Sequence, residues 1–254
     1  MKQEKHVVKY GIKLWTKNHD LYKEAVRLIK SGKADYVELT FFPGETKNIE
    51  LLREVPVVIH SLTYTQGVCY SDSNFEKNFR VMDETLKIAD YLNVDKIIVH
   101  PDVGSKAHFI KFLKKYNDKR IVIENMPKKS LIGKPCLGFS PEQISEFKST
   151  GPFGFCLDLG HAIKASLSEN RDYKTYISSF LKLNPAIMHL CDGNLNVEED
   201  EHLNLGEGGY DLEFIKKAIS KNPNTQLTLE VPKINGLEND IRNIDFFKRI
   251  KNKR

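Results

Sequence analysis

The chain has 254 residues, 40% of them hydrophobic, enough to bury one large core. It has no run of about 18 apolar residues, so no helix is expected to span a membrane. Its net charge of +5 is mildly basic. The excess falls on Lys111, Lys114, Lys115, Lys119 and Arg120 and on the tail Lys248–Arg254. Such groups read first as solvated faces, and otherwise as attraction to a phosphorylated substrate or a nucleic acid. Cys69, Cys136, Cys156 and Cys191 form no CxxC pair, and Met1–Lys9 lacks the apolar segment of a secretory signal. Free thiols and a cytoplasmic location are the expectation.

The first short apolar run is Tyr10–Trp15. A helical pattern follows at Asp20–Ser31, with Leu21, Ala25, Leu28 and Ile29 on one face. Further runs are Tyr36–Phe42 and Val57–Leu62. The longest helical pattern, Asn74–Leu92, spaces Phe75, Phe79, Met82, Leu86, Ala89 and Leu92 by three or four. Runs at Lys96–His100 and Arg120–Asn125 come next, then a Ser140-Pro141-Glu142 helix start with Ser as cap and Pro in the first turn. The run Gly154–Leu159 precedes a helix at Asp172–Leu183, Ala186–Leu190 precedes a helix at Leu212–Ser220, and Gln226–Val231 precedes a last helix at Leu237–Ile250. Runs this short and rich in Val and Ile suit buried parallel strands. Strict alternation with helices predicts an α/β fold with a parallel sheet, and eight repeats favour a single closed (β/α)8 barrel over residues 1–254. No GxGxxG follows the first run, which removes the usual dinucleotide reading.

In such barrels the functional groups stand at the carboxyl ends of the strands. Here six consecutive runs end in His60, His100, Glu124, Asp158, His189 and Glu230. His161 lies three residues beyond Asp158, and Asp192, Asp200 and His202 follow the seventh run. Singly, a histidine there reads as a hydrogen-bonded core residue and Asp158 as a helix cap. Together they cannot all be buried without a partner, because each unpaired ion costs several kcal/mol. A divalent cation removes that cost, and imidazole with carboxylate suits Zn²⁺, Mn²⁺, Fe²⁺ or Co²⁺.

The motifs Val-Ile-His60, Ile-Val-His100-Pro, Val-Ile-Glu124-Asn, Cys-Leu-Asp158-Leu-Gly-His161-Ala, His189-Leu-Cys-Asp192, Asp200-Glu201-His202-Leu-Asn-Leu-Gly206-Glu207-Gly208 and Leu-Glu230-Val-Pro occur in order. In this the chain resembles the xylose isomerase-like barrel superfamily, which contains the endonuclease IV enzymes (AP endonuclease family 2) and many sugar isomerases and epimerases. The resemblance implies two possible ligand sets. In the endonuclease IV group, one zinc would take His60, His100 and Glu124. A second would share Glu124 and add Asp158, His189 and Glu230, and a third would take His161, Asp200 and His202. In the sugar epimerases Glu124, Asp158, His189 and Glu230 would hold one ion, with Glu124 and Glu230 also moving protons as base and acid.

Two reactions therefore compete. A sugar or sugar-phosphate isomerase or epimerase would work through a metal-stabilised enediolate on a small carbohydrate. An abasic-site endonuclease would cleave a DNA phosphodiester. The nine ligands favour the nuclease. The surrounding loops favour the sugar enzyme: Phe42–Thr46 is short and carries an acid, and Asn194–Glu201 holds Glu198, Glu199, Asp200 and Glu201, which repel a phosphate backbone. The sugar reading is preferred on that ground, with Tyr64, Asp192 and Glu207 as substrate contacts. Another metal-dependent barrel activity and a catalytically silent metal-binding module are the remaining alternatives. Trp15 and Glu38 sit near the ends of the first two runs, and core packing suits Trp15 equally well.

Overall fold

A computed structural model describes residues 8–222 and 225–250; the N-terminal stretch and the basic tail beyond Ile250 lie outside the described residues. Eight parallel strands pair in chain order and close on themselves: β1 (Lys9–Trp15), β2 (Tyr36–Thr40), β3 (Val57–His60), β4 (Ile97–Val99), β5 (Ile121–Glu124), β6 (Gly154–Asp158), β7 (Ile187–Leu190) and β8 (Gln226–Leu229). The outer layer holds α1 (Tyr22–Lys30), α2 (Phe75–Tyr91), α3 (Lys106–Tyr116), α4 (Pro141–Lys148), α5 (Leu159–Ser168), α6 (Tyr173–Leu181), α7 (Leu212–Ser220) and α8 (Glu238–Arg249). The expected barrel is present, and each strand falls within or beside its apolar run. Among the described residues, no helix is long and apolar enough to cross a membrane. All four cysteines are free and buried.

Two departures from strict alternation have local causes. Between β2 and β3 the described chain makes only 3-10 turns over Ile49–Glu54, entered through Asn48 in the left-handed region at φ 59°. Pro43 and Gly44 shorten the segment available for a full helix. Between β6 and β7 stand two helices. The extra one, α5, is buried on every side from Leu159 to Ser166. A helix without a polar face leaves no 3.6-residue period to read. Side-chain caps mark three further helix starts: Ser140 accepts from the Gln143 amide, Asp172 from Thr175 and Asp211 from Phe214.

Side chains on a strand alternate between faces. One set faces the helices and joins the large apolar core. The other set fills the barrel, where Tyr36, Val58, Ile98, Val122, Cys156 and Ile187 form a separate buried cluster. The Tyr36 ring lies across this layer, with its hydroxyl 2.8 Å from Thr228 Oγ1. Gly11 makes room for it: a Cβ there would stand 2.5 Å from the ring and 2.8 Å from the Thr228 hydroxyl.

The loop from β7 to α7 is tied down by a buried lysine. Lys164 on α5 is wholly buried, and its Nζ donates to Asn194 O and Val197 O, both at 2.8 Å, and to Glu201 Oε2 at 3.0 Å. This pins the stretch that carries Asp200 and His202.

Gly11→Ala is expected to overpack the barrel floor and cost about 1–3 kcal/mol, a loss of several degrees in melting temperature; an unchanged denaturation curve refutes this role. Lys164→Met keeps the apolar stem but removes three charge-assisted hydrogen bonds. Amide exchange over residues 194–203 should then accelerate about 10–100-fold relative to the strands, and unaltered exchange there shows that the lysine does not hold the loop.

Candidate metal centre at the barrel mouth

Two residues beyond each member of the interior layer stands an ionisable side chain, one from every strand position. Lys13 follows Gly11, Glu38 follows Tyr36, His60 follows Val58 and His100 follows Ile98. Glu124 follows Val122, Asp158 follows Cys156, His189 follows Ile187 and Glu230 follows Thr228. All but Lys13 are buried. His161, in the first turn of α5, and Asp200 and His202, on the β7–α7 loop, close the group from one side.

Glu124 is the centre. Its Oε2 lies 3.3 Å from His60 Nε2 and 3.0 Å from His100 Nε2, and its Oε1 lies 3.3 Å from His189 Nδ1 and 3.4 Å from His161 Nδ1. His60, His100 and His189 each turn their other nitrogen outward, whereas His161 is tied by the same Nδ1 and turns its Nε2 to Asp200 Oδ2 at 3.4 Å. His60 Nδ1 is 2.8 Å from Ser61 O, His161 Nδ1 is 2.8 Å from Asn125 O, and His189 Nε2 is 2.8 Å from Glu38 Oε2. His100 Nδ1 faces Asp102 Oδ1 at 3.5 Å. A ring whose outer N–H is tied this way presents the lone pair of its other nitrogen, as metal-ligating histidines do. Here that lone pair meets a carboxylate oxygen. Two acceptors at 3.0–3.3 Å need a proton or a metal ion between them. Glu124 Oε2, His100 Nε2 and His189 Nδ1 are all buried without a hydrogen-bond partner, so the donor set fits a cation.

The electrostatics agree. Burial works to raise the Glu124 carboxyl, yet His100 and His189 outweigh it and hold Glu124 well below the usual carboxylate range. Burial opposes the charged form of His100, but Glu124 and Asp102 carry it up to about 9. Burial, with Lys13 nearby, lowers His60. Burial and the neighbouring Glu124 and Glu230 push Asp158 up to about 6, against the pull of His161.

Ligand atoms of His60, His100 and Glu124 lie within 4.8 Å of one another, as do those of His161, Asp200 and His202. These are two of the three sets that the resemblance implies. The third set does not close in the same way: Glu124 groups with Asp158 and His161, while His189 and Glu230 group with Glu38 and His60. His202 is held in the left-handed region at φ 50° and pairs closely with Asp200 Oδ2, a conformation that a non-glycine residue keeps only where its surroundings impose it. Asp158 does cap α5, accepting from the His161 amide at 2.6 Å, and its other oxygen faces His189 Nδ1 at 3.9 Å. The helix-cap reading of Asp158 therefore holds.

Of the expected substrate contacts, only Tyr64 lines the cavity above the ring, a space of about 610 Å³. Its hydroxyl accepts from the Leu131 amide at 3.0 Å. Asp192 is buried inside its own loop, where it accepts from the amides of Gly193, Gly206 and Tyr210. Glu207 is exposed, off the cavity, and accepts from Asn204 Nδ2 at 3.0 Å. Both shape the loop rather than the mouth. Trp15 is 46% exposed at the cavity wall, tilted against Phe42, so core packing is not its role.

Sequence reasoning missed Lys13, Asp102, Asn125 and Lys164 and left Glu38 undecided. Lys13 carried a usable signal, a lone cation between apolar Ile12 and Leu14 in a strand buried on both faces. Asp102 and Asn125 carried none, because their roles are hydrogen bonds to residues on other segments. Asn125 grips the Asp158 backbone with both ends of its amide.

Comparison with known proteins places this arrangement. A D-tagatose 3-epimerase-like protein has 19% identity, covering 95% of this chain and 96% of its own, with a TM-score of 0.70. Endonuclease IV from Thermus thermophilus has 20% identity, covering 94% and 97%, with a TM-score of 0.68. The IolI protein, solved with a bound zinc atom, has 15% identity, covering 95% and 96%, with a TM-score of 0.64. At these identities the likeness is one of fold. No curated protein sequence matches the chain. The family model described as xylose isomerase-like TIM barrel matches residues 26–250, and the chain belongs to that family.

Proposed function

We propose that the protein is a divalent-metal-dependent hydrolase of phosphodiesters, with His60, His100, Glu124, Asp158, His161, His189, Asp200, His202 and Glu230 as the ligand set. The observation that carries this reading is the environment of Glu124. Each of its oxygens faces imidazole nitrogens, His60 and His100 on one side and His161 and His189 on the other. A carboxylate so placed is suited to bridging cations, and it does not line the cavity where a sugar would sit. That reverses the order of preference drawn from the sequence.

The objection from the acidic loop also weakens. Glu199 pairs with Lys129 at 3.0 Å, Glu201 with Lys164 at 3.0 Å, and Glu198 accepts from Ser168 at 3.2 Å. These acids are spent within the fold. Lys129, paired with Glu199, and Lys233, paired with Asp240, line the cavity beside the exposed Trp15 and Leu131. Cations and apolar surface together suit a phosphate flanked by a base or sugar. Bound divalent ions would supply Lewis-acid stabilisation of the phosphoryl oxygens and a water of lowered pKa. The chain's own part is to hold the four buried imidazoles in one tautomer each, to keep Glu124 ionised, and to present Tyr64 as a fixed wall. One observation favours the sugar reading: a space of about 610 Å³ also suits a monosaccharide.

The test is zinc- or manganese-loaded protein on an abasic-site duplex, on bis(4-nitrophenyl) phosphate and on a panel of ketoses and their phosphates. Phosphodiester cleavage abolished by a chelator and restored by metal is expected. Ketose epimerisation without such cleavage would establish the sugar enzyme instead. Asp102→Ala should leave the barrel folded and weaken metal affinity by about 10–100-fold, by removing the partner that orients His100. Affinity equal to the parent's in calorimetric titration shows that Asp102 has no such part.

A further inference from the structure

Lys13 is the one residue of the ring that neither ligates metal nor accepts a proton from a histidine. Its Nζ lies 3.0 Å from Glu38 Oε1 and pairs closely with Glu230 Oε1. Ligand atoms of Glu38, His60, His189 and Glu230 all lie within 4.8 Å of one another, a spacing able to hold a metal ion. This cage already contains a cation, and that cation belongs to the chain.

We propose that the Lys13 ammonium replaces one metal ion, so that the mouth works with two divalent ions and one lysine. The inference rests on the metal reading above. Two observations support it. First, Glu230 Oε1 is shared: it lies 3.2 Å from His189 Nδ1 and also meets Lys13 Nζ. Its other oxygen, Oε2, lies 3.6 Å from His202 Nε2; an ion taking Oε1 together with Glu124, Asp158 and His189 would stand against the ammonium. Second, those four residues do not form one close group, whereas His60/His100/Glu124 and His161/Asp200/His202 do. The Lys13 backbone is fixed mid-strand, paired with Glu38 of β2.

Native mass spectrometry after zinc loading and desalting counts the ions. The wild-type chain should retain two zinc ions. Lys13→Arg, which keeps the charge, should retain two, and Lys13→Met should retain three. The double variant Lys13→Met/Glu38→Gln removes the opposed acid along with the lysine, and it decides the matter should the single variant fail to fold; it too should retain three. Three ions in the wild-type chain, or two in folded Lys13→Met or in the double variant, would overturn the inference while leaving the metal reading standing. No retained zinc in the wild-type chain overturns both.

Discussion

Side chains of a closed parallel barrel have only two places to go. Every second residue of every strand enters a common interior, and the strand ends converge on one rim. The barrel floor is apolar, made by Tyr36, Val58, Ile98, Val122, Cys156 and Ile187. The next inward layer is ionisable at every strand. The fold thereby buries carboxylates, imidazoles and one ammonium within about 3–4 Å of one another. Much of the surrounding structure serves to make that burial tolerable.

The imidazoles show how. Carbonyls of Ser61 and Asn125 and the carboxylate of Glu38 take up one nitrogen of His60, His161 and His189, and Asp102 stands 3.5 Å behind His100. The other nitrogen then has a defined role, and the ring has a defined orientation. Asn125 carries the scheme further, since its side chain fixes the Asp158 backbone and its carbonyl fixes His161. One residue thus sets two neighbouring strand-end groups. At the centre, Glu124 Oε2, both nitrogens of His100 and His189 Nδ1 stay buried without a hydrogen-bond partner. Such orphaned atoms are costly in an ordinary core and useful at a metal centre.

The loop after β7 completes the mouth by a different device. Asp192 gathers three backbone amides and Lys164 holds two carbonyls and a carboxylate. Neither touches the cavity. Their effect is to deliver Asp200 and His202 to His161 from outside the barrel. The acids of this loop are consumed in that folding, so its formal charge is a poor guide to how it would meet a phosphate.

The sequence alone determined the barrel, because eight Val- and Ile-rich runs and their helical partners each carry a local period. It also determined which residues end strands three to eight, since a polar residue closing an apolar run is visible without knowing its neighbours. It could not decide Lys13 or Glu38, whose meaning depends on strands β1, β2, β7 and β8 meeting when the barrel closes. It expected Asp192 and Glu207 at the substrate, while the fold turns both to partners within their own loop, because a motif fixes spacing and leaves side-chain direction to the turn. It read no helix at Leu159–Ser168, where burial on all sides erases periodicity. Only the tertiary structure placed both oxygens of Glu124 against imidazoles from four different segments, and that convergence is a property of closure, which no local stretch of chain encodes.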